Sequence, residues 1–503
     1  MSGAFDLAVI GGGTAGLVAA QTALARRKRV LLISEGPLGG ECTWNGCVPS
    51  KALIEAAAVF HSAATAGRFG VRVGELSVDF PGVMDRVHAV IENIARYEDA
   101  AHLEADGVVV RRGRARFIDA RTLQVEDERF TAEHVVVCTG SRPDIPAMDG
   151  LEGVPYLTNE TIFALREQPR HLLVLGAGAV GLELAQAFAR LGTEVDVFDA
   201  ASVLLPREDR DIATVARAIL ESEGVRLHLG ALGARVEAAA GGITLTVRDA
   251  SGERPVPGDQ LLVATGRRPN VDGLGLDTIG ARVERPGIVV DAHLRTSVGG
   301  VFAAGDVTGT LPFTHIAAYQ GRLAAANAVG RARAASYRVI PWVIFTDPEI
   351  AHVGLTEPEA RHKHGDAVRV VSLPFTAVDR AVIAGRTRGL IKVITATRPI
   401  LGGAGGGRLV GAHIIGPGAG ELIHEFVIGM QVNAFSGRLA QAVHAYPAMS
   451  VGVQQAVALL FEHGRAIAGA LREDLQAGDG EPASAPSPES VSWAPTPPRR
   501  ALP

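Results

Sequence analysis

Residues 5–20 read FDLAVIGGGTAGLVAA. A short, mostly apolar run enters the turn Gly11-x-Gly13-x-x-Gly16, and a helical pattern follows. The next apolar run, RVLLISE, ends in Glu35, 19 residues past Gly16. Strand, glycine turn, helix, strand and acid in this register predict a dinucleotide-binding unit. The first glycine allows the tight turn, and the second lets backbone N–H groups approach a pyrophosphate. The third lets helix and strand pack closely, and the acid takes a ribose hydroxyl. The positive end of the helix dipole faces the phosphates.

Residues 171–199, HLLVLGAGAVGLELAQAFARLGTEVDVFD, repeat the unit with Gly176, Gly178 and Gly181, and with Asp199 18 residues past Gly181. Two complete copies predict two nucleotide cofactors in two α/β domains. Each copy has a later partner. VVVCTGSRP (135–143) and LLVATGRRPN (261–270) are apolar strands that run into T-G-x-R-P, and TSVGGVFAAGDV (296–307) is a third, ending in Gly305-Asp306. Beyond residue 335 no glycine fingerprint recurs. GLIKVIT and LVGAHIIG read as strands, and GAGELIHEFVIGMQV reads as a helix with an apolar face. From Glu481 the chain is Pro-rich, with seven prolines in 23 residues, which predicts a disordered tail.

The composition bounds the function. A chain of 503 residues exceeds one ordinary core, so three or four domains are expected. A net charge of −5 gives no reason to expect nucleic acid or an anionic membrane as partner. The start, MSGAFDLAVIGGG, lacks a signal-peptide pattern, and no apolar stretch is long enough to span a bilayer. A cytoplasmic location is expected, where ordinary thiols stay reduced.

Against that background GGECTWNGCVPSK (39–51) stands out, because it holds two of the three cysteines. Cys42 and Cys47 are five residues apart, too far for a disulfide in a regular helix. They can meet only where the chain is distorted, which Gly39, Gly40 and Gly46 permit. A helix is expected from Pro49 onward, so both thiols stand near a helix N-terminus with Lys51 one turn beyond Cys47. Both features lower a thiol pKa. A metal site is a poor alternative, since no second Cys pair or His pair at ligand spacing follows. Two unrelated buried cysteines are the other reading. Cys138, inside an apolar strand, reads as a core residue.

GGECTWNGCVPSK resembles the active-site signature of the flavin-dependent pyridine nucleotide–disulfide oxidoreductases, the group of dihydrolipoamide dehydrogenase, glutathione reductase and mercuric reductase. The likeness runs over about residues 4–465, with the motifs in the family's order. It implies an α/β fold of two Rossmann-like dinucleotide-binding domains plus a C-terminal α+β dimerisation domain. The implied divisions are an FAD-binding domain at 1–155 and 290–335, an NAD(P)H-binding domain at 156–289, a dimerisation domain at 336–470 and a tail at 471–503. FAD would lie with its pyrophosphate at Gly11, Gly13 and Gly16, a ribose on Glu35 and the ribityl chain on Asp306. Backbone at Gly113–Ala115 and at Thr139, Gly140 and Ser141 would touch it. NAD(P)H would bind at Gly176, Gly178 and Gly181, with Asp199 and Gly266 among its contacts. The likeness also implies a redox-active Cys42–Cys47 disulfide, with Cys47 against the flavin, Cys42 toward substrate, and Lys51 paired with Glu183. Asp199 would accept from the free 2′-hydroxyl of NADH and repel a 2′-phosphate, and Ala200, Ala201 and Ser202 supply no arginine to hold one. NADH is therefore expected over NADPH.

The sequence departs from the family at one catalytic position. Most disulfide-reducing members carry a His before a Pro near the C-terminus, with a Glu five residues on, supplied by the second subunit. Here Tyr446 precedes Pro447, and Val451 stands where the Glu would be. His444 matches neither. Loss of such a base typically costs about 10²–10⁴ in rate, or about 3–5 kcal/mol of barrier. Tyr446 could still donate a proton. The segments LELAQAFARLG, FTHIAAYQGRLAAANAVG and GAHIIGPGAGELIHE are most similar to the mercuric-reductase-like branch, yet no cysteine follows Cys138 to make the C-terminal metal-handling pair of mercuric reductases. The expected activity is electron transfer from NADH through FAD and the cysteine pair to a metal ion, a quinone-like oxidant or a disulfide, in a homodimer. Dihydrolipoamide dehydrogenase is the second reading, and a flavin-holding redox sensor or scaffold the third.

Overall fold

A computed structural model describes residues 4–397 and 404–461; most of the dimerisation range falls within these, and the tail at 471–503 lies outside them. Strand Phe5–Ile10 is buried along nearly its whole length, because helices Thr14–Leu24 and Thr314–Ala328 pack on one face of its sheet and the antiparallel strands Ala115–Phe117 and Thr122–Val125 pack on the other. It pairs in parallel with Val30–Ser34 on one side and Glu128–Val137 on the other. Val109–Arg112 extends the sheet past Val30–Ser34, and Val301–Ala303 returns from far along the chain to pair in parallel with Glu128–Val137. The first dinucleotide unit is thus completed only after the second has been inserted.

The second unit is a parallel sheet in the order Val225–Leu229, Glu194–Asp199, His171–Leu175, Gln260–Val263. An antiparallel meander of Leu232–Ala239, Gly242–Asp249 and Gly252–Gly258 precedes its last strand. The two T-G-x-R-P motifs pair with each other: Ser141–Pro143 lies antiparallel to Arg267–Pro269. This short ladder ties the two units together.

The C-terminal sheet is antiparallel, in the order Pro341–Ile344, Glu349–Gly354, Arg408–Gly416, Leu390–Ala396, Val368–Pro374. Helix Ala419–Gln431 packs on it. Its pairing register sets Trp342, His352, His413, Lys392 and Ser372 in one cross-strand row. Of these, Lys392 is buried and reaches Asp209 (2.7 Å), Asp211 (2.6 Å) and Glu357 (2.8 Å). A second buried link joins Arg190 to Glu223 (2.8 Å) and Asp347 (2.7 Å). Among the described residues no helix is long and apolar enough to cross a membrane.

Candidate active site

A cleft of about 1340 Å³ opens where the first unit, the second unit and the C-terminal sheet meet. Gly11, Gly13, Glu35, Cys42, Cys47, Lys51, Ala115, Thr139, Gly140, Ser141, Glu183 and Asp306 all line it. Gly16, Gly176, Gly178, Gly181, Asp199, Gly266 and Tyr446 do not.

The cysteine stretch folds as two helices, not one. Gly40–Trp44 is a single turn holding Cys42, and the long helix Cys47–Ala64 begins at the second cysteine, two residues before the expected start. Gly46 separates them at φ −119°, ψ −110°, and a Cβ there would stand 2.9 Å from the Glu41 carbonyl. This break is the distortion that lets residues five apart face each other. Both cysteines are thiols in this structure. Cys42 donates toward Cys47, Thr314 Oγ1 lies 3.5 Å from Cys47 Sγ, and Lys51 adds positive charge. Together they draw the Cys47 thiol down to about 6 against the opposing effect of burial. The same shared proton, with burial, pushes Cys42 up. Cys138 is buried and raised by desolvation, as befits a core residue.

Lys51 Nζ donates to Glu183 Oε2 at 2.8 Å and sits 4.4 Å over the Phe345 ring. Glu183 is buried on the helix Ala179–Arg190, and its other oxygen accepts the Phe345 N–H at 2.8 Å. The ammonium is thereby fixed at the cleft wall beside Cys47. Opposite, Asp306 Oδ2 accepts from Ser141 Oγ at 2.7 Å. Arg267 donates to Ser141 Oγ (2.8 Å), to the Ser141 carbonyl (2.8 Å) and to Glu41 (2.8 Å), and Asn159 also donates to Glu41 at 3.0 Å. The residue just before Cys42 is thus held by the second nucleotide unit. Sequence reasoning missed Glu41, Asn159, Thr314 and Phe345. Thr314 had a readable signal, since it opens the helix Thr314–Ala328 just after the Gly305-Asp306 turn.

The glycines test whether the implied cofactors fit. Gly11 has φ +114°, and a Cβ there would meet the Cys138 carbonyl at 2.2 Å. At Gly16 a Cβ would stand 1.8 Å from the Gly11 carbonyl. The protein itself therefore requires both. At Gly13 the nearest atom to a Cβ is 3.8 Å away, and the space opens into the cleft. The second copy repeats the pattern: Gly176 and Gly181 meet carbonyls at 2.3 Å and 2.0 Å, whereas nothing stands within 4 Å of Gly178. In both units the middle glycine answers to a guest, which fits a pyrophosphate lying across the turn. Asp199 accepts the Ala177 and Ala201 N–H groups, each at 2.7 Å, so it also braces the second glycine turn.

Tyr446 stands apart from Cys47 in the single chain. It is exposed, and its hydroxyl donates to Asp379 at 2.8 Å, which raises its pKa. His444 Nε2 lies 2.9 Å from Glu425; burial lowers its pKa, but the Glu425 hydrogen bond and charge and the Ala442 carbonyl together raise it.

Comparison with known proteins agrees with this geometry. The model of the pyridine nucleotide-disulphide oxidoreductases matches residues 5–321, and that of their dimerisation domain matches residues 340–457. Mercuric reductase of Streptomyces lividans is 37% identical over 461 residues, spanning 90% of this chain and 95% of that protein. Dihydrolipoyl dehydrogenase of Thermus scotoductus is 36% identical over 470 residues, spanning 91% and 97%. The Cu(II) complex of the HOCl-induced flavoprotein disulfide reductase RclA from Escherichia coli superposes with a TM-score of 0.80 at 29% identity, covering 91% of this chain and 99% of that one.

Proposed function

Because the chain belongs to the pyridine nucleotide-disulphide oxidoreductases, FAD-dependent enzymes that draw electrons from NAD(P)H, we propose that it is an NADH-dependent homodimer of the cytoplasm whose Cys42–Cys47 pair delivers electrons to a metal ion or quinone-like acceptor. The observation that carries the reading is the contrast between two parts of the molecule. The thiol pair has a low-pKa member, an ammonium and a buried carboxylate around it, while the position of the family's general base holds a tyrosine engaged with Asp379. Bound FAD supplies the two-electron relay between the nicotinamide and the cysteines. Gly13 and Gly178 leave room for the two pyrophosphates, Glu35 and Asp306 take sugar hydroxyls, and the Lys51–Glu183 pair closes the wall beside Cys47. Oxidation of the thiolate–thiol pair to the disulfide releases two electrons and one proton. An acceptor that takes electrons without a proton delivered to a departing sulfur does not need the missing base. Mercury and copper in the names of the relatives suit a metal ion.

The test is anaerobic titration with NADH followed by a screen of acceptors. A long-wavelength thiolate-to-flavin band should grow as the flavin absorbance partly falls, and turnover with metal ions or quinones should exceed that with lipoamide. Full bleaching with no such band would uncouple the cysteines from the flavin. Lipoamide turnover that matches the best acceptor and collapses in Tyr446→Phe would favour dihydrolipoamide dehydrogenase. On the present reading, Tyr446→Phe changes metal or quinone turnover by less than about threefold, because no base of the usual kind is lost.

Nucleotide choice gives a second expected outcome. With the carboxylate of Asp199 at the strand end, kcat/KM for NADH should exceed that for NADPH by about 10-fold or more. Asp199→Ser should narrow the ratio by weakening NADH, which steady-state kinetics with both nucleotides will read.

A further inference from the structure

Outside the cleft, one buried cluster has no part in the reaction above. Glu208, His352 and His413 are each less than a tenth exposed, and a ligand atom from each lies within 4.8 Å of the others. They meet where the cross-strand row of the C-terminal sheet faces the turn that precedes helix Arg210–Ser222 of the second unit. The hydrogen bonds fix the tautomers. His352 Nε2 is 2.9 Å from the Gly354 carbonyl, and His413 Nε2 is 3.0 Å from the Leu355 carbonyl. A carbonyl only accepts, so both Nε2 atoms carry hydrogen, and each neutral ring presents a bare lone pair at Nδ1. His352 Nδ1 faces Glu208 Oε2 at 3.2 Å. His413 Nδ1 is buried with no hydrogen-bond partner.

Two electron-pair donors do not face each other in a protein interior without something positive between them. A proton on His352 would satisfy the Glu208 contact but would leave the buried His413 Nδ1 orphaned. A shared cation satisfies all three groups at once. The outer shell is also in place: two imidazole N–H groups on carbonyls, and Trp342 Nε1 donating to Glu208 Oε1 at 2.5 Å. The nearby carboxylates of Asp209, Asp211 and Glu357 outnumber Lys392 and Arg361, so a divalent charge is welcome. Two ligands about 2.0–2.1 Å from one tetrahedral ion stand about 3.3 Å apart. The His352–Glu208 pair already has that spacing, and the widest pair needs a side-chain shift of at most about 1.5 Å.

We propose that Glu208, His352 and His413 form a binding site for a divalent transition-metal ion of the zinc class, joining the second nucleotide unit to the C-terminal sheet. Imidazole and carboxylate donors suit zinc, and the hard oxygen shell that calcium or magnesium demands is absent here.

Elemental analysis of the FAD-loaded protein tests this in a Cys42→Ser/Cys47→Ser background, which removes the other thiol ligands of the cleft. After incubation with zinc and desalting, about one zinc per chain should remain, and adding His413→Gln should lower it at least tenfold with bound FAD and circular dichroism unchanged. Zinc below a tenth of an equivalent in the folded double-serine protein would overturn the proposal in favour of a shared proton. So would zinc retained in full after His413→Gln. If the histidine variant does not fold, X-ray absorption on the double-serine protein decides. Imidazole scattering in a nitrogen and oxygen shell at about 2.0–2.1 Å supports the site, and its absence overturns it.

Discussion

Cys47→Ser is expected to lower acceptor turnover by about 10³-fold or more, with FAD content and fold intact. The size of the effect follows from what surrounds the sulfur. With a pKa of about 6, Cys47 is about nine-tenths thiolate at pH 7, whereas an ordinary thiol near 8.5 is only about 3% ionised. Serine keeps the shape and loses the anion, because a hydroxyl does not ionise in this range. The pH dependence has a definite sign. A depressed thiol pKa means that the thiolate persists above about pH 6 and is lost as pH falls through it. Far-ultraviolet thiolate absorbance of the reduced protein should therefore show a step with its midpoint near pH 6, and the step should vanish in Cys47→Ser. A midpoint near that of free cysteine would mean that Cys42, Thr314 and Lys51 do not act on Cys47 as described. Cys42→Ala should raise the midpoint, because it removes the donated hydrogen bond that is the largest favourable influence on Cys47.

The second large effect separates two glycines that look alike in sequence. Gly13→Ala should weaken FAD binding by about 10²-fold while leaving the apoprotein's stability nearly unchanged. A Cβ at residue 13 meets no protein atom closer than 3.8 Å, but it occupies the approach to the pyrophosphate. Losing one or two hydrogen bonds to a charged group costs about 1.5–3 kcal/mol each. Gly16→Ala should do the reverse. Its Cβ would sit 1.8 Å from the Gly11 carbonyl, so the helix must back away from the strand, and overpacking of this kind costs about 1–3 kcal/mol or more. Flavin fluorescence titration and thermal unfolding of the apoprotein measure the two quantities independently. Equal losses of affinity and stability in both variants would refute the division of labour.

The two dinucleotide units were legible because their signals are local: strand, turn and helix lie within about 20 residues, and the third glycine of each is demanded by the carbonyl of the first. The helix after Gly46 was legible for the same reason, although its start at Cys47 was not, since Val48 and Pro49 occupy a first turn that helical periodicity does not mark; the single turn Gly40–Trp44 before it was not read. What escaped was long-range. Nothing near Arg267 says that it will grip Glu41, 226 residues earlier. The antiparallel meander at 232–258 carries no fingerprint and its strands were not read, although Ile243, Leu245 and Val247 alternate into a core with Val236 and Val256. His352, His413 and Lys392 lie on three different strands, and only the register of the sheet brings them into one row. Glu183 could be paired with Lys51 through family resemblance alone. Spacing gives no hint of a contact across 132 residues.

The second nucleotide unit is gripped on two sides. Arg267 holds it to the cysteine stretch through Glu41, and Arg190 and Lys392 hold it to the C-terminal sheet through buried ion pairs. Rotating that unit as a rigid body would strand several charges in a dry interior, where breaking one buried pair costs about 3–5 kcal/mol. The molecule is therefore built as a fixed conduit and not as a swinging arm: reactants must come and go through its mouth, because its walls do not part. Amide hydrogen exchange would register this as a single opening event shared by the strands around Arg190, Arg267 and Lys392, with the second unit never melting ahead of its neighbours.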